Sequence, residues 1–323
     1  MREALLALVL IAALAAPAAS RRAAPYVGAV SADSTGRVLF CDRADSVAYP
    51  ASVTKLMTAL IVVEDVRAGK YSFLDKVAAT PDASKCEPSW VGLKTGERMS
   101  VRDLLYATMV ESANDAAIVL GVHSAGSFAA FVARMNERAA ELGMTATRYY
   151  NPNGLPPKKQ YPWKEFNVST AADQLKLALQ LVKYPEIFEF TSVKTCDLIK
   201  TADGYRVSVT RAVNRPQRET NLAPGEKIVK QLRNHNNIMR VDKLKIFNPD
   251  GKESVDGLKT GYIDAGGSSI VLTGSRGGKR AIVVVLGSGN ELDAKGRTLK
   301  KSSAVRDENA RRLLSDALGS LVW

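Results

Sequence analysis

The feature that most constrains this chain of 323 residues is an apolar segment that begins with a serine and a lysine three positions apart. It runs Pro50-Ala51-Ser52-Val53-Thr54-Lys55-Leu56-Met57-Thr58-Ala59-Leu60. Pro50 suits the position just before a helix, and the apolar residues that follow predict a buried one. Residues three apart share a helix face, so the Lys55 amine can approach the Ser52 hydroxyl. Burial disfavours a charged amine, and a neutral amine can accept the serine proton.

A lone Ser-x-x-Lys pattern also occurs at ordinary helix starts, so its chemical meaning depends on other motifs. The two histidines narrow the choice of base. We interpret His123, which follows an apolar helical segment, as structural, and His235 as a polar loop residue. If this is a serine enzyme, lysine must therefore supply the base.

Residues 1–20 are typical of a secretory signal peptide. A charged start precedes an apolar run from Ala4 to Ala15, and Ala16-Pro17-Ala18 fits a small-x-small cleavage site. The run is short for a membrane-spanning helix, and no later stretch is long and apolar enough to span a bilayer. We therefore expect an exported protein of the periplasm or extracytoplasmic cell envelope, with at most peripheral membrane contact.

The formal net charge is +12, and the basic residues gather around 158–164, 227–245 and 295–301. Such clusters are typical either of a solvated surface or of attraction to an anionic envelope polymer, and we favour the solvated surface. A nucleic-acid partner is not expected, because an exported chain without a binding motif gives no support for one. Cys41, Cys86 and Cys196 lack metal-type spacing, so we expect no metal or cofactor and at most one internal disulfide.

The hydrophobic pattern predicts a single α+β unit. One antiparallel hairpin is expected over Tyr26–Ala32 and Arg37–Cys41, and another, turning at Gly277-Gly278, over Ser268–Thr273 and Arg280–Leu286. Because strands come first and last with helices between them, we expect the two ends to share one sheet, with a helical insertion at about residues 74–185.

Helix starts and ends carry recognisable signals in this sequence. Ser100 is the predicted N-cap of a helix with Asp103 at the capping-box position. A helix is also expected from Ser127 to Leu142, and another after Ser169 or Thr170. The final helix is expected over about Val305–Leu321, where leucines and alanines form one stripe that we expect to pack on the sheet.

Three short motifs occur in order along the chain: Ser52-Val53-Thr54-Lys55, Ser112-Ala113-Asn114 and Lys259-Thr260-Gly261. The set is typical of penicillin-binding proteins and class A β-lactamases. Together with Asn151-Pro152-Asn153-Gly154-Leu155, these motifs make nearly the whole mature chain resemble the low-molecular-mass penicillin-binding proteins that act as serine D-alanyl-D-alanine carboxypeptidases. Two further matches, Lys94-Thr95-Gly96 (expected to lead into a helix) and Ser288-Gly289-Asn290, are out of the family's order and are rejected.

The resemblance implies a β-lactamase/transpeptidase-like fold, with a central antiparallel sheet flanked by helices, a helical subdomain and a cleft between them. The implied catalytic domain covers residues 24–323, without the small C-terminal β domain that many relatives add. Acyl transfer needs a nucleophile, a base, donors for an oxyanion and a grip on the substrate. Ser52 is the expected nucleophile, Lys55 the base and Ser112 a proton relay. The expected substrate-binding residues are Asn114, Lys259, Thr260, Gly261, Tyr262 and Arg306.

The implied activity is removal of the terminal D-alanine from peptidoglycan stem pentapeptides, with β-lactam antibiotics as acylating inhibitors. A D,D-endopeptidase that cuts peptidoglycan cross-links is the main alternative. A β-lactamase would need an added glutamate for deacylation, for which Glu165 is the only nearby candidate, in surroundings unlike that motif. A non-catalytic penicillin-binding module is the third alternative.

Overall fold

The computed structural model describes residues 25–209, 222–240, 253–293 and 295–321, and the predicted signal peptide lies outside these ranges. The strands are β1 (Gly28–Asp33), β2 (Val38–Asp42), β3 (Lys76–Ala78), β4 (Arg98–Ser100), β5 (Thr195–Lys200), β6 (Tyr205–Ser208), β7 (Lys227–Arg233), β8 (Glu253–Ile263), β9 (Gly267–Arg276), β10 (Lys279–Ser288), β11 (Glu291–Leu292) and β12 (Thr298–Lys300). The helices are α1 (Lys55–Arg67), α2 (Val101–Val110), α3 (Asn114–Ala125), α4 (Phe128–Glu141), α5 (Ala171–Leu181), α6 (Ile187–Thr191), α7 (Asn237–Arg240) and α8 (Ser302–Ser320).

The main sheet has five antiparallel strands in the order β2-β1-β10-β9-β8. Strand β1 from the start of the chain pairs with β10 from near its end, with Val30 opposite Val284. The expectation that the two ends share a sheet is therefore confirmed, as are both predicted hairpins. Strand β8, which carries the Lys259 motif, lies at the edge of this sheet.

The side chains of β10 point alternately to the two faces of the sheet, and each face is covered by a hydrophobic core. Successive strand residues point to opposite faces. Ile282 and Val284 belong to the larger core together with α1, whereas Val283 and Val285 belong to a second core with α8. The leucine stripe of α8 thus packs on the sheet, as predicted.

Helices α2, α3 and α4 gather near α1 and form the helical part of the protein. The region predicted as a helical insertion also contains strands β3 and β4, and its last helix, α5, packs on β1 and β10 of the sheet. The division into domains therefore stays a prediction. The sequence reasoning missed the small sheet β6-β5-β7. Taken singly, each described helix is too short or too polar to cross a bilayer; α3 and α4 pass that test only as a pair, bent by 84°.

Side-chain caps set several helix starts. Ser100 Oγ accepts from the Asp103 N–H at 3.0 Å, and Thr170 Oγ1 accepts from the Asp173 N–H at 3.1 Å, which confirms both predicted caps. The last helix begins three residues before the predicted Val305. Asn290 Oδ1 accepts from the Ser302 N–H at 2.8 Å, and this bond from a distant loop fixes the earlier start.

Candidate active site

Ser52 lies in a short 3₁₀ turn, Ala51–Thr54, that precedes α1, and Lys55 is the first residue of α1 itself. The sequence placed both in one helix; the structure separates them at this boundary but keeps them within one turn. Ala51 has φ +50°, a left-handed conformation. A Cβ on Gly154 would lie 1.9 Å from the Ala51 carbonyl oxygen, so the turn is pressed directly against the Asn151–Leu155 loop.

Lys55 is completely buried and its Nζ has three hydrogen-bond partners. Nζ lies 2.9 Å from Ser52 Oγ, 2.7 Å from Asn114 Oδ1 and 2.7 Å from the Asn153 carbonyl oxygen. A neutral amine has two N–H donors and one lone pair. It can therefore donate to the two fixed acceptors, Asn114 and Asn153, and accept the hydrogen of the serine hydroxyl.

The electrostatics favour that neutral form. Burial, and secondly the nearby Lys259 ammonium, hold the pKa of Lys55 well below its usual value. Lys259 is also buried, and burial together with Arg306 lowers its pKa to about 7. A protonated Lys259 therefore favours the neutral form of the Lys55 amine beside the serine. Lys259 itself gains and loses its proton near neutral pH.

Strand β8 brings its backbone against the serine turn through Gly261. A Cβ at this position would lie 2.5 Å from the Pro50 carbonyl oxygen and 3.0 Å from the Ser52 nitrogen, so only glycine fits. Lys259 and Thr260 precede this contact and are buried, whereas the Tyr262 side chain is 57% exposed just beyond it. The Lys259 motif thus lies beside the Ser52 motif, as the sequence predicted.

Ser112 and Asn114 lie where α2 ends and α3 begins. Ser112 is buried with φ +61°, and its hydroxyl makes no hydrogen bond to Ser52 or Lys55 within the described structure. Asn114 contacts Lys55 directly. The structure therefore brings Asn114 to the amine and leaves the relay role of Ser112 as a proposal.

Arg306, the arginine expected to bind substrate, is buried, unlike its neighbours Arg297 and Arg311. Its guanidinium pairs with Asp307 at 2.6 Å and lies close enough to Lys259 to lower the pKa of that lysine. Arg297 instead forms an exposed pair with Asp293, and Arg311 is exposed. Arg306 is thus the arginine that joins the site.

Sequence reasoning assigned no role to Asp115, which holds one wall of the site. Its buried carboxylate accepts backbone N–H groups at 2.9–3.2 Å; the donors are Val91, Gly92, Leu93 and Ala116. The Ser89 carbonyl accepts from the Asn114 N–H at 2.7 Å. Burial still raises the pKa of Asp115 above its usual value. In the sequence, the acidic residue directly after Asn114 is the feature that could have indicated this role.

An asparagine network holds the opposite wall. Asn167 Nδ2 donates to Thr54 Oγ1 and to the Asn151 carbonyl, both at 3.0 Å. Asn151 Oδ1 in turn accepts from the Gly154 N–H at 2.6 Å. This network positions the Asn153 carbonyl that contacts Lys55. The sequence indicated the Asn151–Leu155 loop but not Asn167.

The rejected motifs lie apart from this cluster. Lys94-Thr95-Gly96 forms a turn that leads into strand β4, and not directly into a helix as we had expected. In Ser288-Gly289-Asn290, the asparagine caps α8. The ring of His123 packs on Tyr71, with centroids 4.5 Å apart.

The three cysteines and Glu165 make no hydrogen bond to Ser52 or Lys55 within the described ranges. Cys41, Cys86 and Cys196 are free thiols. Glu165, the residue considered for a β-lactamase, is exposed. The described ranges contain no group of three histidine, cysteine or acidic side chains placed to hold a metal ion.

Taken together, the site provides a serine hydroxyl, an amine whose neutral form is favoured, the buried Lys259 and the Arg306–Asp307 pair in one place. An activated hydroxyl beside fixed positive charge can attack a carbonyl and stabilise the negative charge that develops. The same charges attract an anionic substrate. The arrangement therefore suits acyl transfer from a carboxylate-bearing molecule.

Comparisons with known proteins agree with this chemistry. Residues 18–215 match the family described as D-alanyl-D-alanine carboxypeptidase. The chain is 30% identical to D-alanyl-D-alanine carboxypeptidase DacF of Bacillus subtilis over 268 residues, which are 82% of this chain and 58% of DacF. It is 34% identical to a D-alanyl-D-alanine endopeptidase of Pseudomonas aeruginosa over 165 residues, about half of each chain. The chain thus spans less than two thirds of the length of these relatives.

Solved structures show the same fold. The carboxypeptidase DacD of Francisella tularensis aligns with a TM-score of 0.73 and 28% identity, covering 96% of this chain and 74% of its own. Penicillin-binding protein D2 of Listeria monocytogenes, in an ampicillin-bound form, aligns at 0.66 and 26% identity, covering 93% and 99%. A Streptomyces K15 DD-transpeptidase mutant aligns at 0.69 and 22% identity, covering 93% and 100%. The predicted α+β transpeptidase-like fold is confirmed, and the chain belongs to the D-alanyl-D-alanine carboxypeptidase family of low-molecular-mass penicillin-binding proteins.

Proposed function

We propose that this protein is a penicillin-sensitive serine D,D-carboxypeptidase that removes the terminal D-alanine from peptidoglycan stem pentapeptides. The observation that carries the proposal is the 2.9 Å contact between Ser52 Oγ and the buried Lys55 Nζ. A buried amine in its neutral form is a base suited to take the proton of the serine. The family match and the DacF likeness support the choice of substrate.

In the acylation step, Ser52 Oγ attacks the carbonyl between the two D-alanines while Lys55 takes its proton. The bond to the terminal D-alanine breaks, and Ser112 relays a proton to the leaving amine. By family resemblance, the N–H groups of Ser52 and Tyr262 hold the oxyanion. Water then attacks the Ser52 ester, with Lys55 as the base again, and releases the shortened peptide.

The substrate is held through both its amide and its carboxylate. Asn114 Oδ1 is engaged by Lys55, which leaves its Nδ2 to donate to the substrate backbone. Thr260 can hydrogen-bond the terminal carboxylate, with Lys259 and Arg306 supplying positive charge behind it. Buried cations are worth more to a carboxylate than exposed ones, because little water screens them.

Two alternative activities remain on the same machinery. The similarity to the endopeptidase of Pseudomonas aeruginosa supports the D,D-endopeptidase alternative, because it covers half of this chain. The β-lactamase reading is weaker, since Glu165 is exposed and makes none of the described contacts with Lys55. We further propose export to the periplasm or extracytoplasmic envelope, on the strength of residues 1–20.

Mass spectrometry of purified muropeptides after incubation with the protein separates the carboxypeptidase from the endopeptidase. Loss of one alanine from pentapeptides supports the carboxypeptidase, and conversion of dimers to monomers supports the endopeptidase. Ser52→Ala should abolish both product formation and fluorescent-penicillin labelling. Ser320→Ala, near the far end of α8, is the matched control and should retain both. D-Alanine release by Ser52→Ala at the native rate would refute the proposed nucleophile.

A further inference from the structure

A cavity of about 510 Å³ lies at the turn between β8 and β9. Its walls include Tyr49, three residues before Ser52, and Tyr262, three residues after Lys259. A Cβ on Gly266 would lie 2.9 Å from Tyr49 Cβ, so the turn after β8 packs against the segment that leads to Ser52. The cavity therefore adjoins the proposed catalytic cleft.

The cavity differs from the cleft in its charge. Asp264 is the one acidic or basic side chain among its lining residues, which are otherwise apolar, glycine or neutral polar. Its carboxylate accepts the Tyr262 hydroxyl at 2.7 Å and has no ion-pair partner among the described residues. The cleft itself holds the buried basic side chains of Lys259 and Arg306. A ligand that spans both would present a carboxylate at one end and a cation at the other.

The direction of the substrate follows from the proposed function. Its terminal carboxylate lies at Thr260, Lys259 and Arg306, and the attacked carbonyl lies at Ser52. The rest of the peptide must then leave past Tyr262, along the edge of β8, since the other direction is taken by the carboxylate site. An extended peptide can add to a free strand edge in this way. The residue before the D-alanines thus approaches Asp264.

The distance suits that residue. Asp264 lies in the turn directly after β8, two positions beyond Tyr262, so its Cα is at most about 7 Å from that of Tyr262 at about 3.8 Å between consecutive Cα atoms. The peptide residue before the acyl D-alanine lies about one such step from the attacked carbonyl. A side chain with an amine at the end of four carbons can therefore reach from this peptide residue to the Asp264 carboxylate. A side chain with no amine would leave Asp264 without a cation.

We propose that this cavity is a specificity subsite for a free side-chain amine on the residue that precedes D-alanyl-D-alanine, with Asp264 as its binding carboxylate. Tyr262 holds Asp264 in position through its hydroxyl. The subsite selects stem peptides whose diamino acid is unmodified over those whose amine is acylated, as it is in a cross-link. This inference rests on the proposed function, and it favours the free pentapeptide over the cross-bridge as substrate.

Two synthetic probes test it: Nα-acetyl-L-lysyl-D-alanyl-D-alanine and its Nα,Nε-diacetyl counterpart. The measurement is kcat/KM for D-alanine release from each. The native protein should prefer the free amine by roughly 2–5-fold, the upper part of the range of an exposed ion pair. In Asp264→Asn the ratio should fall to about 1 because the ion pair is lost. Asp264→Glu, which keeps the charge, should retain a ratio above 1.

Glu137→Gln on the outer face of α4 is the matched control, since it removes one exposed negative charge away from the cavity. It should keep the native ratio. Raising the salt concentration should lower the native ratio and leave that of Asp264→Asn unchanged. A native ratio of 1, or a ratio that persists in Asp264→Asn, overturns the subsite while D-alanine release upholds the proposed function. Failure of the native protein to release D-alanine from either probe overturns both.

Discussion

The three partners of the Lys55 amine are compatible with its neutral form, which burial favours. Asn114 Oδ1 and the Asn153 carbonyl can only accept, so Lys55 must donate to both. The third partner, Ser52 Oγ, can donate or accept. A neutral amine satisfies all three with the serine hydrogen directed at its lone pair. The site thus prepares the proton transfer before any substrate arrives.

Replacing Lys55 tests its role as base. Lys55→Met should slow acylation by fluorescent penicillin by about 10²–10⁴-fold, the usual contribution of a general base. The fold should survive with some loss of stability, because methionine fills the buried space but leaves Asn114 Oδ1 and the Asn153 carbonyl without their donor. Stopped-flow labelling with circular dichroism on the same sample checks both points. Lys183→Met, at an exposed position, should react like the native protein.

The pKa of Lys259, about 7, predicts a pH dependence of substrate binding. As pH rises through this value Lys259 loses its charge, so its attraction for the terminal carboxylate weakens. KM for D-alanyl-D-alanine peptides should therefore rise several-fold between about pH 6 and pH 8.5. A peptide amide, which lacks the carboxylate, is the control and should show little change. An equal rise for both substrates would mean that Lys259 does not bind the carboxylate.

At the scale of elements, β8 and the serine turn act as one unit because glycine lets their backbones touch. Gly261→Ala places a methyl group 2.5 Å from the Pro50 carbonyl oxygen, so the turn must shift. We expect penicillin acylation to fall by about 10²-fold, since a displacement near 1 Å costs that much. Unfolding in urea should show a loss of about 1–3 kcal/mol. Gly319→Ala in α8, where a Cβ meets no atom within 4 Å, should lower neither the acylation rate nor the stability.

Asp115 joins α3 to the 89–93 segment, and its replacement should loosen that wall of the site. Asp115→Asn keeps the shape but replaces one acceptor oxygen by a donor that faces backbone N–H groups. The expected cost is about 1–3 kcal/mol for the unsatisfied donors. Hydrogen exchange at the amides of Val91, Gly92 and Leu93 should become faster than in the native protein, and the increase there should exceed the increase in α1. Unchanged protection at these three amides would contradict this account.

Sequence patterns located the elements of the site better than its contacts. Spacing alone paired Ser52 with Lys55, and motif order brought in Asn114 and Lys259. The partner at Asn153 is a backbone carbonyl, which any residue type would supply, so no side-chain signal could reveal it. The 3₁₀ conformation at Ser52 was missed for a similar reason, because it depends on the Gly154 backbone packed against Ala51.

At the scale of the whole molecule, the sheet joins the two ends of the chain and holds the motifs together. The continuous run of β-branched residues in β10, with the Gly277-Gly278 turn before it, made this sheet predictable. The sheet β6-β5-β7 was not predicted, because its strands are short and β7 is largely exposed. Exposed strands lack the apolar run or clean alternation that sequence analysis uses.

The buried lysines also make the stability of the fold depend on pH. Unfolded Lys259 titrates near its usual value of 10.5, but folded Lys259 titrates near 7. Between these values the unfolded state binds more protons, so the free energy of unfolding should rise with pH. Lys259→Met should stabilise the protein by about 1–4 kcal/mol at pH 6. That gain should shrink toward pH 10, as followed by urea unfolding of both proteins, and a gain independent of pH would contradict it.

The most direct test of the account is to find which atom benzylpenicillin acylates. The protein is treated with the antibiotic, digested, and mapped by tandem mass spectrometry. We predict a single adduct on Ser52 in the native protein, and a strongly reduced adduct on the same residue in Lys55→Met. An adduct on another serine, or full labelling of Ser52 without Lys55, would contradict the claim that the neutral amine activates this hydroxyl.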